Sequence, residues 1–131
     1  MSGTGSALLD TNIVIAYLKR DWAVRSQWQL LSSLYLPLTV LGELYYGAYK
    51  AARQDHVLTQ IHDLLRVLIL LTPTHTTAKY YGQIKAELAI AGTPIPQNDI
   101  WIAALAKEYQ LPLATRDQHF SQVQGLITLD W

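Results

Sequence analysis

Three acidic side chains in this 131-residue chain stand where a charge has no local partner, and a fourth, beside one arginine, shares their placement after an apolar run. Asp10 is the only charged residue from Met1 to Leu18, Glu43 the only one between Arg25 and Lys50, and Asp99 the only one between Glu87 and Lys107. Asp117 adjoins Arg116, but it follows a short apolar run closely, as Asp10 follows Leu8-Leu9. An unpaired carboxylate in apolar surroundings is costly and calls for a partner or a metal ion. Four carboxylates brought together repel one another unless cations or protons intervene. Hard divalent cations such as Mg²⁺ or Mn²⁺ take oxygen ligands and keep several waters, so an all-carboxylate set suits them. Two such ions about 4 Å apart can clamp an in-line displacement at phosphate, one activating water and the other stabilising the leaving oxygen. That chemistry needs neither His nor Cys as nucleophile or base.

Each acid also has a plainer reading. Asp10 before Thr11 suits a helix N-cap, Asp99 an acid favoured by a helix dipole, and Asp117 a turn residue. Glu43, flanked by Gly42 and Leu44-Tyr45-Tyr46, is explained less well by capping. The remaining acids lie near basic neighbours: Asp21 after Lys19-Arg20, Asp55 near Arg53, Asp63 before Arg66, Glu87 after Lys85 and Glu108 after Lys107. These read as solvated faces with local ion pairs, each worth little. Asp130, near the end of the sequence, carries no signal.

The elements that must position the four acids follow from apolar spacing. Ala7-Leu8-Leu9 reads as a strand, Thr11 to Leu18 and Ala23 to Ser33 as helices, Leu36 to Thr39 as a second strand and Leu41 to Ala52 as a helix. Val57, Ile61, Leu64, Leu65 and Leu68 recur at helical spacing over His56 to Leu68, ahead of a strand at Ile69-Leu70-Leu71. Thr74 to Ala91 reads as a long helix closed by Gly92 and Pro94-Ile95-Pro96. Asn98 to Tyr109 is a further helix, Pro112 to Ala114 a strand, and Leu126 to Leu129 a candidate edge strand. Strands alternating with helices imply an α/β fold with a parallel sheet and right-handed crossovers. Asp10 and Asp117 then fall just past strand ends, and Glu43 and Asp99 in the first turns of helices. In such sheets ligands bind beyond the carboxyl ends of the strands, so the four acids can converge there.

Composition sets the outer bounds. The length suits a single domain over residues 1–131, and 50% hydrophobic with 15% charged residues suits one substantial core. Ten basic and ten acidic residues give a formal net charge of zero, against a broad electrostatic grip on nucleic acid. Any such contact must come from a local patch or from metal ions. The absence of cysteine removes disulfides, thiolate zinc sites and thiol catalysis. The longest aliphatic run, Val67 to Leu71, is far short of the ~20 residues that span a bilayer. The expectation is a soluble, cytoplasmic protein with no membrane partner and a flexible Met1–Ser6.

The residues around each acid resemble the PIN-domain family, and more closely its VapC-type toxins from bacterial toxin–antitoxin pairs. Leu8-Leu9-Asp10-Thr11-Asn12-Ile13 resembles the amino-terminal motif, and Leu38 to Ala48, with Glu43 at its centre, the second acidic motif. Asn98-Asp99-Ile100-Trp101-Ile102-Ala103-Ala104 is similar to the third, and Ala114-Thr115-Arg116-Asp117-Gln118-His119-Phe120 to the fourth. One motif would be weak; four in order over essentially the whole chain are specific. The resemblance implies a three-layer α/β/α sandwich with a central parallel sheet of about five strands. It implies Mg²⁺- or Mn²⁺-dependent cleavage of RNA, with Asp10 and Asp99 as direct ligands and Glu43 holding a second ion or positioning the attacking water. Asp117 would act as a ligand directly or through water, with Asn12 and Thr115 hydrogen-bonding behind the ligands. The family often carries Asn at the position of Asp117. The resemblance further implies a homodimer neutralised by a small antitoxin protein whose tail binds near the helices around the second strand.

Two other functions use the same features: a housekeeping nuclease for RNA or DNA, and a catalytically idle interaction module that keeps fold and acids. Retention of all four acids favours chemistry over the idle module. Gly3-Thr4-Gly5 precedes a strand and lacks a third glycine, so it is no dinucleotide motif. His119 follows Asp117 by two, and a structural role is its plainer reading, contact with substrate the sharper. Trp22, Trp28, Trp101 and Trp131 read as core or interface residues, with Trp101 packing inward. Tyr45 and Tyr49 share one helical face and Tyr46 is turned away, so at least one of the three should be exposed.

Overall fold

The computed structural model describes residues 5–131. The chain runs β1 (Ser6–Leu9), α1 (Thr11–Leu18), α2 (Trp22–Trp28), β2 (Ser33–Pro37), α3 (Leu38–Lys50), α4 (Gln54–Leu65), β3 (Ile69–Leu71), α5 (His75–Ala91), α6 (Gln97–Glu108), β4 (Leu113–Ala114), a 3₁₀ turn (Gln118–Gln122) and β5 (Thr128–Leu129). The expected flexible segment Met1–Ser6 lies partly outside the described residues, and its last two positions are ordered. The Gly5 carbonyl accepts from the Ser32 and Ser33 amides, and Ser6 already pairs with Ser33. Gly5 is at φ +90°, a turn that glycine enters without strain.

Five parallel strands lie in the order β3-β2-β1-β4-β5, as the alternating pattern requires. Ala7, Leu8 and Leu9 of β1 are fully buried, as suits a central strand covered on both faces. The first half of the chain adds strands on one side of β1 and the second half on the other. Right-handed crossovers send the two sets of connecting helices to opposite faces, which produces the sandwich. The strand order therefore reverses between β1 and β4, and the carboxyl ends of those two strands are where sheets of this kind bind ligands.

Two boundaries differ from expectation. The helix expected over Ala23 to Ser33 ends at Trp28, and the second strand starts at Ser33. Ser33, Leu34 and Tyr35 pair with Ser6, Ala7 and Leu8, so strand pairing overrides a local sequence without strand character. Leu38 and Thr39 belong to α3 rather than to the strand. Pro37 is extended, at φ −65° and ψ 142°, and lacking an N–H it ends the ladder and starts the helix. Glu43 consequently sits one turn further into its helix than its sequence suggested.

Other elements form where their end signals stand. The Thr74 and Thr77 side chains make a reciprocal capping box at the start of α5, and Gly92 ends it in the left-handed conformation. The buried Thr77 hydroxyl donates to Glu108 Oε1 at 2.6 Å, tying the start of α5 to the end of α6. Ile100 and Ile102 to Ala106 of α6 are all buried, so this helix is covered on every side. Its buried middle fixes where the first turn, which carries Asp99, is placed. Among the described residues no helix is long and apolar enough to cross a membrane.

Candidate active site

Asp10 ends β1 and caps α1. Its backbone N–H donates to the Ala114 carbonyl at 3.0 Å, so the same residue joins β1 to β4. Its carboxylate accepts the Thr11 amide at 2.8 Å, the Asn12 side-chain amide at 3.2 Å and the Thr115 hydroxyl at 2.7 Å. At 5% exposure it is one of few buried polar residues. Burial pushes its pKa up, the Asp117 charge adds to that, and the three donors oppose it.

The other members come from three separate elements. Thr115, just past β4, gives its hydroxyl hydrogen to Asp10 and accepts the Asp117 amide at 3.0 Å. Asp117 then caps the 3₁₀ turn by accepting the His119 amide at 2.9 Å. Asn12 bridges the same two loops, its amide donating to Asp10 while its oxygen accepts the Arg116 N–H at 3.2 Å. Asp99 enters from the first turn of α6 with its side chain 14% exposed. Its pKa is raised to about 6 by burial first, then by the charges of Asp10 and Asp117, with His119 pulling the other way. The three aspartates therefore share one electrostatic site.

Glu43 stands further off. Its Oε2 accepts the Thr11 hydroxyl at 3.1 Å, which links it to the helix that Asp10 caps. It also lines an apolar groove of about 330 Å³ between α1, α3 and α4, with Ile15, Leu18, Lys19, Leu44 and Val57. The Thr39 hydroxyl, one turn earlier on α3, is buried with no hydrogen-bond partner among the described residues.

The missed member is His119. Its Nδ1 lies 3.1 Å from Asp117 Oδ1 and 3.3 Å from Asp99 Oδ2. Spacing relates His119 only to Asp117; its meeting with Asp99, from α6, has no counterpart in the sequence. Arg116 turns away from its neighbour Asp117. Its guanidinium donates to Asp21 Oδ2 at 3.1 Å and to the Trp131 carbonyl at 2.7 Å. Asp21 thus takes a distant partner rather than Lys19 or Arg20. None of the other expected local ion pairs forms among the described residues, and Glu108 accepts from Thr77 instead.

Among the described residues no lysine or arginine pairs with Asp10, Glu43, Asp99 or Asp117. Converging carboxylates without a lysine or arginine partner form a hard oxygen donor set, which fits a divalent cation. Asp99, Asp117 and His119 offer ligand atoms within 4.8 Å of one another.

The aromatic residues separate into two kinds. Trp28 is buried and stacks on Tyr17 with centroids 3.8 Å apart, and half-buried Trp101 stacks on Tyr81 at 4.2 Å. Trp22, Tyr46 and Tyr49 are exposed.

The family model for the PIN domain matches residues 7–126. Ribonuclease VapC2 of Haemophilus influenzae is 36% identical over 127 residues, covering 95% of this chain and 96% of the relative. The tRNA(fMet)-specific endonuclease VapC of Shigella flexneri is 35% identical with the same coverage. In three dimensions, DNA-bound VapBC from Salmonella typhimurium superposes with a TM-score of 0.90 at 29% identity, covering 98% of this chain and 99% of the other. VapBC2 from Rickettsia felis, bound to a DNA fragment from its promoter, gives 0.89 at 26% identity, covering 96% and 98%.

Proposed function

The chain belongs to the PIN-domain family, and from that premise we propose that it is a metal-dependent endoribonuclease acting as the toxin of a toxin–antitoxin pair in the cytoplasm. The observation that carries the chemistry is the convergence of Asp10, Asp99 and Asp117 at the strand-order reversal, with no lysine or arginine paired with them among the described residues. Ribonuclease relatives at 35–36% identity over nearly the full length support RNA as substrate.

In this proposal Asp10, Asp99 and Asp117 hold Mg²⁺ or Mn²⁺, and Glu43 holds a second ion or positions the attacking water. When bound, the ion supplies an activated water and stabilises charge on the phosphate oxygens. The protein's part is positional. Asn12, Thr115 and the Thr11 amide fix the Asp10 carboxylate, and the Thr11 hydroxyl aims Glu43. Because Thr115 bonds both Asp10 and Asp117, it keeps those two acids in register. The reading is tested by incubating purified protein with single-stranded RNA and with DNA of the same sequence, in Mg²⁺, in Mn²⁺ and in excess EDTA. RNA cleavage that stops in EDTA is expected; undiminished cleavage in EDTA removes the metal from the mechanism.

The antitoxin complexes formed by structural neighbours support a protein partner. We assign the apolar groove between α1, α3 and α4 to an amphipathic antitoxin helix, with a basic side chain directed to Glu43 in its lining. The exposed Tyr46 and Tyr49 on α3 are aromatic surface of the kind enriched at protein interfaces, and they support both this contact and a homodimer. Tyr46→Glu is expected to weaken antitoxin binding by at least the ~2 kcal/mol of an interface hot spot while leaving cleavage intact. Light scattering at micromolar concentration should give a dimeric mass for the toxin alone.

A further inference from the structure

His119 is held by the turn that Asp117 caps. Its amide donates to Asp117, and the next residue, Phe120, is 1% exposed and anchors the turn in the core. The imidazole is therefore carried on a fixed backbone although the ring is 53% exposed. Nδ1 faces two carboxylate oxygens from different elements at almost equal distances, 3.1 and 3.3 Å. A single N–H points well at only one acceptor, so a hydrogen bond accounts for one of these contacts and poorly for both. A lone pair directed at a cation between the two carboxylates accounts for both. Adjacent ligand atoms of an octahedral ion with bonds of ~2.1 Å lie about 3.0 Å apart, close to the separations observed here.

Resting on the metal-dependent reading above, we propose that His119 Nδ1 is a ligand of the same divalent ion that Asp99 and Asp117 hold, and that this nitrogen makes the site favour Mn²⁺ over Mg²⁺. Mg²⁺ is the harder ion and prefers oxygen, whereas imidazole suits transition metals. The neutral ring would carry its hydrogen on Nε2, and the half-exposed ring allows that hydrogen a water partner. An all-carboxylate site on the same backbone would discriminate less.

Mn²⁺ makes the test spectroscopic. Purified wild-type protein, His119→Asn and His119→Ala are titrated with MnCl₂, binding being followed by loss of the free-ion electron paramagnetic resonance signal. Mg²⁺ affinity is obtained by competition. The wild type should show the ¹⁴N modulation of a directly bound imidazole in pulsed measurements, and both variants should lose it. His119→Ala should raise the Mn²⁺ Kd by at least about tenfold and the Mg²⁺ Kd by much less. In His119→Asn an amide oxygen replaces the nitrogen, so the Mn²⁺-to-Mg²⁺ preference should fall. Tight Mn²⁺ binding without ¹⁴N modulation, modulation that survives in the variants, or an unchanged preference would overturn the assignment of His119 and leave the metal reading standing. If the wild type binds no Mn²⁺, the metal reading fails and this inference with it.

Discussion

Asp10 and Asp21 open two consecutive helices with the same local chemistry, and the fold drives their acidities apart. Each is an extended N-cap whose carboxylate accepts a backbone amide at the helix start, Thr11 for Asp10 and Val24 for Asp21. Asp21 lies at the surface, where the Val24 amide and then Arg116 hold its pKa below the ordinary value. Asp10 lies at the buried switch point of the sheet, where desolvation and the Asp117 charge push it up despite three hydrogen-bond donors. A cap stabilises a helix in either place; only the buried one is surrounded by other acids. The plainer reading of Asp10 as a cap is therefore correct and incomplete, since the same carboxylate caps α1 and joins the acidic site.

The largest expected effect lies in catalysis. Asp10→Asn and Asp99→Asn should lower RNA cleavage by more than about 100-fold, beyond what loss of an outer partner costs, with far-ultraviolet circular dichroism unchanged. Asp21→Asn should cleave at the wild-type rate. Activity in Asp10→Asn equal to that of Asp21→Asn would reduce both residues to caps.

Metal should separate the two regions next. At 100 times its Kd, an ion binding only the folded state adds about 2.7 kcal/mol of stability. Wild type and Asp21→Asn should gain equally from Mn²⁺, and Asp99→Asn much less. Equal gains in all three would mean that the acids do not form one site.

The smallest effect is the most diagnostic, because its sign differs between the regions. Asp99 binds its proton more tightly in the folded chain, with a pKa near 6 against an ordinary 3.8. Between those values the folded state carries more protons than the unfolded state, so this contribution to stability is full below about pH 4 and lost as pH rises through about 6. In EDTA, Asp99→Asn should therefore be more stable than wild type above pH 6, on the order of 1 kcal/mol, and indistinguishable below about pH 4. Asp21, with a lowered pKa, contributes stability that is present above its ordinary pKa and lost as pH falls through the lower folded value. Asp21→Asn should thus be slightly less stable at neutral pH, with the deficit closing in acid. Thermal melts of the three proteins from pH 3 to 8 check both slopes, and slopes of the same sign would contradict the assignment of one site as crowded and the other as paired.

How much of this was legible before folding depends on how local each signal is. The α/β pattern, the parallel sheet and the three isolated acids Asp10, Glu43 and Asp99 are readable because apolar periodicity and the absence of nearby charge are properties of short segments. The Gly92 that closes α5 in the left-handed conformation belongs to the same class. Strand pairing is not local. Ser33 joins β2 because β1 and the Gly5 carbonyl lie opposite it, and that moved the strand and the start of α3 from their expected places. Charge pairing is not local either. Arg116 stands beside Asp117 in sequence and reaches Asp21 in space, so the neighbour that seemed to neutralise Asp117 does not.

The sequence by itself determined which carboxylates stand in apolar surroundings, since the absence of nearby charge is a property of short segments. Only the tertiary structure decided how they meet: Asp10 and Asp117 close enough to raise the pKa of Asp99, Glu43 set one bridge away through Thr11, and His119 placed between Asp99 and Asp117. The reason is that Coulomb and desolvation effects depend on distance and burial in space, and both are fixed when β1, β4 and the start of α6 converge at the strand-order reversal.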